Sequence, residues 1–159
     1  MNILPSPLLL LGVGGAGTAM LRGILRAYGS DIRALAIDTD AQAGGSGDLP
    51  FLLLGGNRLA GRGTGGQPAS ARAAFQDTPT ILDTALDGVR TVVIVTALGG
   101  GTGSGATGEI VKHLHTLGVA SLVFATLPFS FEGAERVRTA RTAIGSIEQH
   151  ADEIGRAHV

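Results

Sequence analysis

A chain of 159 residues, 44% apolar and only 16% charged, can bury roughly 70% of its unfolded surface, so one domain or most of one is expected. A net charge of −1 gives no electrostatic basis for binding nucleic acid or an anionic membrane, and no apolar run reaches the ~20 residues of a spanning helix. Cysteine is absent, which excludes a disulfide framework and a thiolate zinc site; a soluble cytoplasmic protein is the expectation.

The first predicted strand, 8–13, is apolar on both faces, has no basic residue ahead of it and runs into glycines, so it reads as a buried parallel strand and not a signal peptide. Gly12-Val13-Gly14-Gly15-Ala16-Gly17 then forms G-x-G-x-x-G ahead of a helix over 16–28. Glycines there permit a tight turn and close approach of the backbone to phosphate. The amides at the helix start carry about half a positive charge toward it. A second strand over 33–38 ends in Asp38, 21 residues after Gly17, where a dinucleotide site places its ribose-binding acid. To this point the residues fit NAD.

A short strand follows at 51–54, then GGNRLAGRGTGGQP over 55–68, too polar and glycine-rich to form an element. It is expected to be a loop, either floppy or ordered by a ligand. A helical segment over 69–87 breaks near Pro79. The strand over 91–97 leads into Gly99-Gly100-Gly101-Thr102-Gly103-Ser104-Gly105, which opens a helix over 104–117. One amide cradle suffices for a pyrophosphate; two suit the longer phosphate run of a nucleoside triphosphate, held by charge-assisted bonds of roughly 1.5–3 kcal/mol each. A strand over 119–126, the loop LPFSFEG and a helix over 133–150 complete the series. Strands alternating with helices predict a Rossmann-like α/β fold, a parallel sheet with helices on both faces, and every unusual loop falls on its carboxyl edge.

Several chemistries are excluded. A Walker A loop requires lysine, and the sole lysine, Lys112, lies in mid-helix against eleven arginines. A nucleophile elbow fails because Thr102 and Ala106 flank Ser104 at the required spacing. His113 and His115 are two apart, so on a helix they point to different faces. All four histidines are expected to be structural or on the surface.

GGGTGSG resembles the signature loop of tubulins. With GVGGAG upstream, AIDTDAQ at 36–42 and PFSFEG at 128–133, the chain is similar to the tubulin/FtsZ GTPase family over about 8–150. The resemblance implies GTP or GDP as ligand, with Mg2+, and contacts along the diphosphate from Gly14, Gly15, Ala16, Gly17, Thr18 and Ala19. It implies a second set around the phosphates from Gly99, Gly100, Gly101, Thr102, Gly103, Ser104 and Gly105, with Asp38 beside them. Glu132 matches the family's ribose-binding glutamate, and Arg136 an arginine that reaches the nucleotide. From the residues alone, Glu132 and Arg136 read as a solvated i,i+4 pair, and the PFSFEG context favours the nucleotide contacts. The resemblance further implies head-to-tail self-association into filaments, a role in bacterial cell division at the division site, and division-protein partners reached through C-terminal regions; it implies neither nucleic-acid binding nor direct membrane insertion.

The family usually has asparagine at the positions of Ala19 and Asp38; the stretch 55–68 resembles its γ-phosphate loop but is one residue shorter, with Gln67-Pro68 in place of Asn-Pro. Asp38-Thr39-Asp40 is the acid-x-acid of eukaryotic tubulins, which makes Asp38 and Asp40 candidates for a hydrated Mg2+ beside the phosphates, since an unscreened carboxylate there would repel them. The match ends near Glu153, before the guanine-contacting helix and the acidic catalytic loop that the family places downstream. The partial domain is therefore taken as 1–153, with no catalytic residue in this chain and an open sheet edge where a sixth strand would pair. The last residues, IGRAHV, fit one reading frame of a common sequencing adapter, and 154–159 are expected to be a non-native tail. Two alternatives remain: an NAD-binding oxidoreductase domain, which leaves GGGTGSG and PFSFEG unexplained, and a non-hydrolysing scaffold of the same family.

Overall fold

The apolar runs assemble into one parallel sheet in a computed structural model that describes residues 7–29, 31–45 and 47–158. The strands are β1 (Leu8–Val13), β2 (Ala34–Asp38), β3 (Phe51–Leu53), β4 (Thr91–Ala97), β5 (Ala120–Leu127) and β6 (Glu153–His158), in the order β3-β2-β1-β4-β5-β6. This is the doubly wound order, and its direction of winding reverses between β1 and β4. Gly12 lies in the ladder between Ala36 and Val95, and Val13 between Ile37 and Thr96, so β1 is central and apolar on both faces.

Helix α1 (Gly14–Tyr28) covers one face, where Leu21 packs with Leu10, Ala36 and Val95. On the other face lie α3 (Pro68–Asp77), α4 (Thr102–Thr116) and α5 (Ala134–Glu148), whose Phe75, Ile110 and Ile147 are buried with Leu9, Leu11, Ile94 and Val123. The three-layer α/β expectation is therefore met. His113 bonds Asp83 at 2.8 Å and meets Phe75 edge-on, and His115 lies beside His150, as expected of structural or surface imidazoles.

Two expectations need correction. The stretch 55–68 contains an element, the short helix α2 (Gly56–Leu59). Left-handed Gly55 and Ala60 (φ 69° and 50°) bound that turn, and Arg58 Nε holds it to α3 by bonding Asp77 Oδ2 at 2.7 Å. That bond keeps the Asp77 carboxyl below its ordinary pKa. The edge of β5 is not open either: β6 pairs along it from Leu122↔Glu153 to Leu127↔His158. The side chain of Ile154 packs against the core, which gives the edge pairing an apolar anchor.

Candidate functional site

Both glycine loops leave the carboxyl edge at the reversal point. Gly14 (φ 78°) turns the chain from β1 directly into α1, and a Cβ there would lie 3.2 Å from the Gly103 nitrogen of the second loop. Gly17 faces the β4 carbonyl of Val95, 2.5 Å from where a Cβ would stand, so only glycine lets α1 lie this close to the sheet. Thr96 Oγ1 donates to Val13 O at 3.1 Å, fixing the ends of β1 and β4 to each other. In the second loop the Gly99 amide donates to Ser104 Oγ at 2.8 Å, and Thr107 Oγ1 donates to Gly103 O at 2.6 Å. Neither α1 nor α4 has a side-chain cap or a first-turn acid. Their leading amides therefore remain available to an anion.

Between these helix starts lies a cavity of about 480 Å³, within the range of small-molecule sites. Gly14, Gly15 and Ala16 line it from the first loop, and Gly100, Gly101, Thr102 and Gly103 from the second. Asp38, Asp40 and Arg136 complete the expected residues found in the wall. Asp38 is buried; its Oδ1 accepts from the Thr39 amide at 2.6 Å, while Oδ2 faces Gly15. Asp40 Oδ1 accepts from the Gln42 amide at 2.9 Å, capping a short 3-10 turn over Ala41–Gly44.

Gly17, Thr18, Ala19, Gly99, Ser104, Gly105 and Glu132 are not in the wall. Gly17 and Gly105 are packing glycines, the latter pressed against Pro68 and Ala71 of α3. Thr18 is fully buried, and its hydroxyl lacks a partner among the described residues. Glu132 Oε1 accepts from the Phe129 amide at 2.9 Å, and its Oε2 lies 3.5 Å from Arg136 Nε. The pair thus has the i,i+4 geometry that the residues alone allow, while Arg136 still reaches the cavity.

Missing from the expected set are Thr39, Arg62, Gly63, Thr64, Gly65 and Gly66, all of which line the cavity. Thr39 Oγ1 and Thr102 Oγ1 are 2.8 Å apart, joining the end of β2 to the start of α4. Residues 61–66 fold back because Arg62 bridges Asp40 in antiparallel fashion, Ala41 N donates to Gly61 O (3.0 Å) and Gly63 N to Thr39 O (3.1 Å). Thr64 then rests on Gly101. The sequence signal for this wall is the alternation of glycines in GRGTGG, which marks the segment but not the individual side chains.

A parallel sheet with two glycine-bounded helix starts converging on one polar cavity at its reversal point defines a protein of the α/β nucleotide-binding class. The model of the GTPase domain of the Tubulin/FtsZ family matches residues 7–155, and the chain belongs to that family. It is 34% identical over 150 residues to the cell division protein FtsZ of Helicobacter pylori, covering 92% of this chain and 39% of that protein. It is 32% identical over 145 residues to that of Buchnera aphidicola. Among solved structures, an empty FtsZ dimer from M. jannaschii superposes with a TM-score of 0.88 at 27% identity, covering 94% of this chain and 44% of that one. A GTPgS-bound CetZ2 protofilament from Haloferax volcanii superposes at 0.85 with 28% identity, covering 95% and 48%. The chain thus spans about two fifths of the length of the curated relatives it matches. Among the described residues, no helix is long and apolar enough to cross a membrane.

Proposed function

We propose that this chain holds the phosphates of GTP or GDP in the cleft between α1 and α4, as the phosphate-binding part of a filament-forming GTPase of bacterial cell division. The observation that supports this best is the contact of the two loops at Gly14 and Gly103, which brings two uncapped helix starts to one cavity. A pyrophosphate alone requires one such start, so a pair favours a nucleoside triphosphate over NAD. In the proposed role, Gly15, Ala16, Gly101, Thr102 and Gly103 surround phosphate, Gly17, Thr18, Ala19, Gly99, Ser104 and Gly105 shape the two loops, and Arg136, positioned by Glu132, reaches the nucleotide from α5.

Asp38 and Asp40 suit a hydrated Mg2+: both are hard oxygen donors in the wall, and one Asp38 oxygen is free of its main-chain bond. Among the described residues no group of three or more acids or histidines converges, which favours an ion that keeps most of its water. Among the described residues these two are the carboxylates of the cleft wall, and both are assigned to the ion; in this reading the chain by itself binds nucleotide without turning it over. Head-to-tail assembly is proposed for the intact protein, in keeping with the protofilament and dimer forms of its structural relatives. The stacked, exposed pair Phe129 and Phe131 would contribute apolar surface to such an assembly.

Calorimetric titration of the full chain with GTP, GDP and NAD tests the proposal, with phosphate release and sedimentation followed in the same samples. GTP and GDP are expected to bind one per chain, with no displacement by excess NAD, no phosphate released and no sedimenting polymer. Displacement by NAD would overturn the GTP assignment in favour of a dinucleotide site. Released phosphate would overturn the claim that the chain is inactive alone.

A further inference from the structure

We propose that Arg22 is a positioning residue for the cleft: by clamping the turn after β2 onto α1, it orients the Asp40 carboxylate relative to the α1 amides. The inference rests on the reading of Asp38 and Asp40 as the carboxylates of a nucleotide-associated Mg2+, and it adds the side chain that aims one of them.

Arg22 stands on α1 about two turns beyond the glycines that line the cavity. Its Nη2 donates to Ala43 O and to Gly44 O, both at 3.1 Å, and its Nε donates to Asp48 Oδ1 at 3.4 Å. One partly buried guanidinium thus takes three acceptors from the segment between β2 and β3. Among the described residues, no other side chain of α1 bonds that segment.

The turn that Arg22 holds, Ala41–Gly44, has no buried residue, so packing does little to fix it. Asp40 Oδ1 caps its start through the Gln42 amide, and the carbonyls at its end are the ones Arg22 takes. One end is therefore tied to a carboxylate of the cavity wall. The other is tied to the helix whose first turn lines the same wall. The fit is close: a Cβ on Gly45 (φ 60°) would stand 2.7 Å from Arg22 Nη2. A cation suits the carbonyl end of a turn, and a planar guanidinium loses less freedom per bond than an ammonium on a flexible stem. The Asp40 main chain is bridged to Arg62, but its carboxylate is aimed by the cap, and the cap by the turn. Without the clamp, the turn retains only the Ala41 bond to Gly61 and its own short-range bonds. The α1 amides would stay where they are, because Leu21, fully buried beside Arg22, docks the helix on the sheet.

The test is calorimetric titration of the full chain with GTP, in EDTA and across a range of Mg2+ concentrations. It compares the parent, Arg22→Leu, Arg22→Lys, Asp40→Asn and the double variant of Arg22→Leu with Asp40→Asn. Arg22→Leu is expected to change GTP affinity in EDTA less than about twofold. It should raise about tenfold the Mg2+ concentration that gives half of the gain in affinity, as is typical when a group supporting an ion's ligand is removed. Arg22→Lys should fall between parent and Arg22→Leu, and it reads the same contrast if the leucine variant does not fold. Because Arg22 acts through Asp40, the double variant should need no more Mg2+ than Asp40→Asn alone. Equal weakening in EDTA and in Mg2+, an unchanged Mg2+ requirement, or additive effects in the double variant would overturn the inference while leaving nucleotide binding intact. A parent whose GTP affinity is the same with and without Mg2+ would overturn the ion reading, and this inference with it. A parent that binds no GTP would overturn the phosphate reading itself.

Discussion

At Gly103 and Asp38 the fold and the proposed chemistry depend on single side chains, or on the lack of one. A Cβ on Gly103 would stand 2.7 Å from Thr96 Oγ1 and against the Ala97 carbonyl, so any other residue there would push α4 away from β4. Overpacking of this kind costs about 1–3 kcal/mol and would also move the amides that face the cavity. Asp38 is the opposite case: the carboxylate is buried beside a cradle proposed to hold phosphate. A bound phosphate would repel its charge unless a cation screened it, which is the ground for the proposed Mg2+. Asp38→Asn is therefore expected to make GTP affinity less dependent on Mg2+, measured as binding with and without the ion. Identical Mg2+ dependence in parent and variant would remove the proposed ion site.

The elements were legible where burial alone dictates pattern. The continuous apolar runs of β1 and β4 give their bounds directly, and Pro79 marks the change from α3 to the 3-10 segment Pro79–Leu86. Helix starts were less legible. Both α1 and α4 begin two residues before expectation, because their first turns are glycine-rich and poor in intrinsic propensity. Tertiary bonds such as Thr39 to Thr102 stabilise what propensity does not. From its residues the wall formed by 61–66 was legible only as a loop, and the family resemblance alone linked it to phosphate, since its closure depends on a bridge to Asp40 that no periodicity announces.

Helix α5 is held on the sheet by close packing against α4. Gly108 of α4 lets the two helices cross closely, a Cβ there standing only 3.0 Å from that of Ser146, and Ile147 beside it is fully buried. Ile147→Ala removes the anchor of α5 and is expected to cost about 2–5 kcal/mol. Urea denaturation measures this, and a loss below about 1 kcal/mol would mean that α5 is not docked as described.

For the whole molecule, the order β3-β2-β1-β4-β5-β6 brings together loops that lie far apart in the sequence. The first glycine loop, the β2 acids, the 61–66 segment and the second glycine loop meet only because β1 and β4 are neighbours. Together these four segments are proposed to form one phosphate site. Amide chemical-shift mapping of the labelled chain during GTP titration tests it most directly. Resonances of Gly14–Gly17, Thr39–Asp40, Arg62–Gly66 and Gly101–Gly103 are expected to shift together along one saturable curve. Shifts confined to one loop, or centred elsewhere on the molecule, would contradict it.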